Sequence, residues 1–315
     1  MSFSVYQTLD HGITRIDTGM VRDELAACYL LEQDNEIAII ETGTHFTVPT
    51  ILNLLQEKSI DKSQVKYVIP THVHLDHAGG VGGLMQELPN ATAVIHPSGA
   101  RHMINPEKLK AGTIAVYGEQ GFKNMYGDLI PVPADRVMEA SENTILSLGN
   151  RFLRVIDTPG HARHHFCIYD EVSQGIFTGD TFGISYPNLR NNNQCFVFPT
   201  TTPVQFEPDA LKNSIGKLFS YSPERMYLTH YGMIERPSEL KDMLLEQIDE
   251  YVAIAKSCEA DANPISAIQK KLTSYTLSHP LLDCLQISEQ EKLNTITMDM
   301  ALNSQGLNVW LDRQR

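Results

Sequence analysis

Apolar positions alternate along the first two thirds of this chain in a way that predicts strands interleaved with helices. Residues 12–18 and 25–32 are apolar and β-branched enough to form strands, and 36–42 (EIAIIET) reads as a buried strand that stops at Gly43. Thr47 is placed to cap a helix with Pro49 in its first turn, burying Ile51, Leu52, Leu54 and Leu55. Residues 65–70 (VKYVIP) form another buried run, followed by a short glycine-rich helix near 79–88 and a strand over 93–96. Residues 97–127 mix helical patches with glycines and give no clear element. Strands are predicted over 144–148, 151–157, 166–169 and 175–178. A helix over 209–219 carries Leu211, Ile215 and Leu218, and a short strand over 226–228 follows it.

After Pro237 the period changes to that of helices alone. Leu240, Leu244, Ile248, Tyr251 and Ala255 share one helical face. Asn263-Pro264 reads as a cap and first turn before Ile265, Ile268 and Leu272, while Ser288 and Glu291 form a capping box ahead of Leu293, Ile296 and Met300. The expected organisation is a mixed α/β domain over 1–236 and a helical extension over 237–315.

Composition narrows the class. With 315 residues, 42% of them hydrophobic, the chain can bury a full core without metal or disulfide staples, so ligand-type residues need not be structural. The formal net charge of -13 disfavours nucleic acid and anionic lipid as partners, and no apolar run is long enough to span a bilayer. The N-terminus lacks the basic-then-apolar pattern of a signal peptide, and the five scattered cysteines form no C-x-x-C pair. A reducing cytoplasm is expected, with the cysteines as core fillers.

The candidate chemistry sits where strands end. His72, His161, Asp180 and His230 each follow a predicted strand, the position at which a rigid scaffold presents functional loops. Thr71-His72-Val73-His74-Leu75-Asp76-His77 packs four ligand-type side chains into six positions. In extended chain His72, His74 and Asp76 share one side, and a turn after the strand lets Asp76 and His77 face a second point. Imidazole with carboxylate suits zinc, iron or manganese rather than calcium or magnesium, and no cysteine lies nearby to close a structural zinc site. Two dications with Asp76, Asp180 and one hydroxide carry a residual positive charge, which attracts an anionic group or a developing oxyanion.

The string THVHLDHAGG resembles the H-x-H-x-D-H signature of the metallo-β-lactamase superfamily, and Pro159-Gly160-His161, Thr178-Gly179-Asp180 and Thr229-His230 follow in that family's order. The resemblance covers roughly residues 12–236 and implies an αββα sandwich, here with a C-terminal helical extension and the site at one edge. It implies that His72, His74 and His161 bind one metal, that Asp76, His77 and His230 bind another, and that Asp180 bridges them. Asp76 and Asp180 are then the catalytic carboxylates, and the expected cofactor is two divalent ions, zinc first, with iron and manganese as alternatives. Two positions depart from the pattern. Glu41-Thr42-Gly43 stands where Asp-Thr-Gly is usual, its longer carboxylate suited to steadying a ligand by hydrogen bonding. His164 stands where glycine is common, next to His165, which is expected to support the ligands.

Further residues are candidates for substrate contact. Residues 183–207 form a long aperiodic segment after Asp180, suited to a lid, with Tyr186, Arg190, Phe196 and Phe198 to line a pocket. His45 and Tyr231 flank site strands, and Tyr231 is placed to donate to an oxyanion. The expected function is hydrolysis of a small ester, thioester or lactone by a metal-bridged hydroxide, a resemblance in style to the glyoxalase II and lactonase branch. Small-molecule phosphodiester hydrolysis, and a diiron redox, sensing or regulatory role with little turnover, are the alternatives. The expected partner is a small-molecule substrate, and the apolar faces of the tail helices also suit a homodimer.

Overall fold

The computed structural model describes residues 4–191, 194–201 and 204–315, with the backbone alone at Val116. Seven strands form the first sheet in sequence order: β1 (Tyr6–Thr8), β2 (Ile13–Asp17), β3 (Ala27–Gln33), β4 (Glu36–Ile40), β5 (Val65–Ile69), β6 (Thr92–Ile95) and β7 (Val137–Glu139). The first four pair antiparallel, and β4 to β7 run parallel. The second sheet holds β8 (Ile145–Leu148), β9 (Arg151–Asp157), β10 (Phe166–Asp170), β11 (Gly175–Gly179), β12 (Arg225–Leu228) and β13 (Gly232–Glu235), in the order β13-β12-β11-β10-β9-β8.

Alternation sorts the cores. In β4, Ile37 and Ile39 join one apolar cluster, while Ala38 and Ile40 join another on the opposite face. The first cluster is completed by helices α1 (Val48–Glu57), α3 (Val81–Glu87) and α4 (Pro97–Ile104), which follow α2 (Leu75–Ala78) or precede it in the chain. The second fills the space between the sheets and continues to α6 (Pro208–Leu218), α7 (Lys241–Ser257), α8 (Pro264–Leu277) and α10 (Glu289–Gln314), α9 (Pro280–Asp283) being a single turn. The layers therefore run helix, sheet, sheet, helix, and the C-terminal helices share the second sheet's core. Among the described residues no helix is long and apolar enough to cross a membrane.

The predicted elements of the first two thirds are present. Three short strands escaped the pattern, β1, β7 and β13, because each has too few apolar residues to show a period. The unplaced stretch holds α4 and the long α5 (Glu107–Tyr126), which is broken at Gly118 (φ 73°, ψ 165°). Gly112, Gly118 and Gly121 lower its helix propensity and blur its apolar stripe. Thr47 is not a side-chain cap. Thr44 caps a preceding 3-10 turn by accepting from the Phe46 amide, and the Thr47 hydroxyl accepts from the Thr44 amide. The Asn263 cap and the Ser288–Glu291 box are present.

The segment after Asp180 is not a free lid. Tyr186, Phe196 and Phe198 are buried in the inter-sheet core, and Arg190 binds the backbone carbonyls of Ser185, Tyr231 and Met233. The expectation that the three aromatic residues line a substrate pocket is therefore corrected, since they found more apolar area to bury in the core than at the surface, whereas Arg190 does border a cavity, with Met233 and Leu281. Residues 192, 193, 202 and 203 of that segment lie outside the described residues.

Candidate metal centre

Each candidate ligand leaves the end of a strand. His72 follows β5, His161 lies on the turn after β9, Asp180 follows β11 and His230 follows β12. His74, Asp76 and His77 come from the turn into α2, where His74 is the N-cap residue. The two sheets bring all of these to one edge.

The side chains form two groups joined by a carboxylate. In the first, His74 Nδ1 lies 2.8 Å from His72 Nε2 and 3.1 Å from His161 Nε2. In the second, Asp76 Oδ2 lies 3.4 Å from His77 Nε2 and 3.3 Å from His230 Nε2. Asp180 divides its oxygens between them: Oδ2 is 3.3 Å from His161 Nε2, and Oδ1 is 3.2 Å from His77 Nε2 and 3.5 Å from His230 Nε2. His72, His74 and His161, and separately Asp76, His77 and His230, present ligand atoms within 4.8 Å of one another, so each set can hold a metal ion. Asp180 does the same with His72 and His77.

Whether these atoms suit a cation is tested by their hydrogen bonding. His77 Nε2 and Asp180 Oδ1 are both buried, yet neither has a hydrogen-bond partner among the described residues. Buried polar atoms are normally paired. Two that lie close together and unaligned fit a shared cation far better than each other.

The far side of each ring is fixed. His77 Nδ1 is 2.9 Å from Glu41 Oε1, His230 Nδ1 is 2.9 Å from the Leu25 carbonyl, His72 Nδ1 is 3.2 Å from Thr71 Oγ1 and His161 Nδ1 is 3.2 Å from Thr200 Oγ1. With a proton held on Nδ1, Nε2 is the nitrogen that faces the other ligand-type atoms and would bind a metal once any second proton leaves, the usual arrangement around a bound metal. Only His74 turns its Nδ1 inward.

Glu41 is the hub of this support. It accepts from the Thr71 amide (3.1 Å), the Thr71 hydroxyl (2.6 Å), the Thr229 hydroxyl (3.0 Å) and His77 Nδ1. It lies just past β4 with φ 62°, a left-handed conformation that a glutamate adopts at a cost the four bonds offset. The longer side chain at this position thus reaches the threonines that precede two of the ligands.

Electrostatics separates the two groups. Burial, reinforced by neighbouring rings, holds His72 and His74 well below the ordinary histidine value, so these are neutral imidazoles. For His230 burial opposes the charge, but Asp180 and Asp76 outweigh it and push the ring up to about 9. Burial likewise opposes the charge on His77, and Asp76, Glu41 and Asp180 together raise it well above normal. Burial would raise Asp76 and Asp180; the adjacent histidines hold both low, so both stay ionised.

The other candidates divide. His165 supports the centre: its Nε2 accepts from the Asp180 amide at 3.2 Å, and Nδ1 lies 2.8 Å from Thr158 Oγ1. His164 is packed over His72, ring centroids 6.1 Å apart, and burial lowers it to about 4. His45 heads the turn before α1, against Gly127 and Phe46, outside both ligand groups. Tyr231 does not face the centre: its ring lies under the Arg15 guanidinium, 4.6 Å away, and its hydroxyl is raised by burial and feels Asp17. The Tyr186 hydroxyl is also engaged elsewhere, donating to Asp299 on α10 at 3.1 Å. Sequence reasoning missed Thr71, Thr200, Thr229 and the Leu25 carbonyl. The threonine immediately before both His72 and His230 was the available signal.

Comparison with known proteins agrees with this geometry. The chain is similar to a metallo-beta-lactamase fold-containing protein of Sulfurisphaera tokodaii, 28% identical over 246 residues that make up 75% of this chain and 85% of that protein. It is also similar to an acyl-coenzyme A thioesterase of Gallus gallus, 27% identical over 118 residues, 36% of this chain and 40% of that protein. The fold is shared with the crystal structure of a metallo-beta-lactamase family protein from Thermus thermophilus, with a TM-score of 0.64 and 17% identity over 96% of this chain and 94% of that one. The model of the metallo-beta-lactamase superfamily matches residues 21–230, which take in both candidate ligand groups and Asp180, and the chain belongs to that superfamily.

Proposed function

We propose that this protein is a dinuclear metal-dependent hydrolase acting on a small ester, thioester or lactone. The observation that carries the reading is Asp180, whose two oxygens face two separate ligand groups. In this proposal His72, His74 and His161 would hold one ion, Asp76, His77 and His230 would hold the other, and Asp180 would serve both groups. Two divalent ions, zinc by ligand chemistry, would supply a hydroxide at neutral pH and polarise the substrate's carbonyl.

The chain's own groups do the rest. Glu41, Leu25, Thr71 and Thr200 keep the ring protons on Nδ1 and the ligating nitrogens aimed inward. Asp76 has 26% of its side chain exposed against 6% for Asp180, so it is the carboxylate a substrate meets first. It is the group we assign to accept a hydrogen bond from the attacking water and orient it towards the carbonyl, because the histidines beside it hold it too acidic to keep a proton. Beside it stands an apolar wall of Leu75, Phe122 and Tyr126, with Met20 and Ile114 packed against them. Burial, and behind it the Asp76 charge, raises the Tyr117 and Tyr126 hydroxyls, which supports an apolar wall within reach of that carboxylate and suited to an apolar acyl group. The thioesterase name of one relative supports the acyl-transfer class.

The test is turnover of aryl and alkyl esters, acyl thioesters, lactones and phosphodiesters by zinc-loaded protein. Hydrolysis of one carbonyl class, lost in the chelated protein and restored by zinc, is expected. Turnover of phosphodiesters alone contradicts the assignment.

A further inference from the structure

The last helix does more than cover the second sheet. Thr295, Asp299 and Asn303 lie four residues apart on one face of α10. All three hold the segment that follows Asp180: Asn188 Nδ2 donates to Thr295 Oγ1, Tyr186 Oη to Asp299 Oδ1, and Asn303 binds residues 199 and 201. The third contact is the closest-knit. Asn303 Oδ1 accepts from the Thr201 amide at 2.7 Å, Asn303 Nδ2 donates to the Pro199 carbonyl at 3.0 Å, and the Thr201 hydroxyl donates to the Asn303 carbonyl at 3.0 Å. One buried amide therefore clamps the backbone on both sides of Thr200.

Thr200 is the residue that holds His161: its hydroxyl lies 3.2 Å from His161 Nδ1, and its backbone bonds the same ring. Of the histidines held through Nδ1, His72, His77 and His230 are supported from the first sheet and the loop before β3; His161 alone depends on a residue that α10 positions. We infer that α10 is a positioning element of the three-histidine site, acting through Asn303 on Thr200 and through Thr200 on the orientation and tautomer of His161. The inference rests on the reading of His161 as a metal ligand. It adds a helix outside the matched span of residues 21–230 to the machinery of the site.

Preorganisation of the His161 ring carries the effect. A ring free to rotate or to carry its proton on Nε2 binds a metal less tightly, and loss of such outer support typically costs 10–100-fold in affinity. The effect is expected to be selective: among the described residues His77 and His230 take their Nδ1 hydrogen bonds from Glu41 and Leu25 rather than from α10, whose Asp299 reaches His230 only through its charge.

The experiment is a zinc titration in competition with a chromophoric chelator, repeated with cobalt(II) and read by its visible absorption, on the full chain. Wild type is expected to bind two equivalents. Thr200→Val is expected to weaken one equivalent about 10–100-fold and leave the other unchanged, with Thr200→Ser restoring it. Asn303→Asp keeps the acceptor for the Thr201 amide but removes the donor to Pro199, and is expected to move the same equivalent in the same direction. Variants with a lower Tm but wild-type affinity at both sites show a merely structural role and overturn the inference while leaving the dinuclear reading intact. A wild type that binds no stoichiometric zinc overturns that reading and the inference with it.

Discussion

Replacing Glu41 with glutamine probes the support of the centre without touching a ligand. The Glu41 side chain is buried and accepts four hydrogen bonds, three on Oε1 and one on Oε2. In Glu41→Gln the amide oxygen best replaces Oε1, which leaves the new NH2 facing the Thr71 amide. An unmet buried donor costs about 1–3 kcal/mol, and the three remaining bonds each lose the extra strength of a charged acceptor, about 1 kcal/mol apiece. Bonds that share one acceptor group are not additive, so the expected loss is about 3–5 kcal/mol rather than the sum of extremes. Against the stability of about 5–15 kcal/mol common to domains, the variant still folds. Urea denaturation in the presence of chelator measures this loss directly. Zinc titration of the folded variant should show one equivalent weakened by about 10–100-fold, since His77 loses its charged partner. An unchanged urea midpoint with unchanged zinc binding would falsify the role given to Glu41, and a loss of stability alone would confine it to the fold.

Three other outcomes are expected. Asp299 is raised to about 6, chiefly by burial, from an ordinary 3.8, so the folded state favours the protonated acid. Wild type should therefore lose up to about 3 kcal/mol of stability as pH rises from about 4 to above 6, whereas Asp299→Asn, which keeps an acceptor for Tyr186, should not; parallel pH curves by denaturant unfolding would contradict this. Arg151 and Asp170 form a fully buried two-point ion pair between β9 and β10, with Nε to Oδ1 at 2.8 Å and Nη2 to Oδ2 at 2.5 Å. Asp170→Ala should cost about 3–5 kcal/mol in the same assay because it strands a buried charge, and a loss below about 1 kcal/mol would contradict it. Tyr126→Ala should raise KM for long-chain acyl substrates more than for acetyl ones, with kcat less affected, and an equal change for both would remove the apolar wall from substrate binding.

Much of this architecture is legible in the sequence. Regular alternation in the central strands and ligand residues at four strand ends located the sheets and the site, because buried strands must show a period and metal ligands must be particular residue types. The order of His72, His74, Asp76, His77, His161, Asp180 and His230 matched a family pattern, and the structure brings all of them to one edge. What was not legible depends on contacts distant in sequence. Nothing in the segment around Thr200 announces that Asn303, about a hundred residues on, holds it in place. Tyr231 was attractive because it follows a ligand, but its neighbour in space is Arg15. The aromatic residues at 196 and 198 had the composition of a lid and the burial of a core. Short edge strands and a glycine-broken helix stayed hidden for a simpler reason: they carry too few apolar positions to reveal a period.

Two metal ions sharing Asp180 are the core of the proposed function. Elemental analysis of wild type and Asp180→Ala, each purified without added metal and then equilibrated with zinc, tests it most directly when the hydrolysis rate is followed on the same samples. About two ions per wild-type chain, with turnover, are expected. Asp180→Ala is expected to hold fewer ions and show little activity, with the fold retained by circular dichroism. An Asp180→Ala protein that keeps two ions and full turnover, or a wild type that takes up no stoichiometric metal, would contradict it.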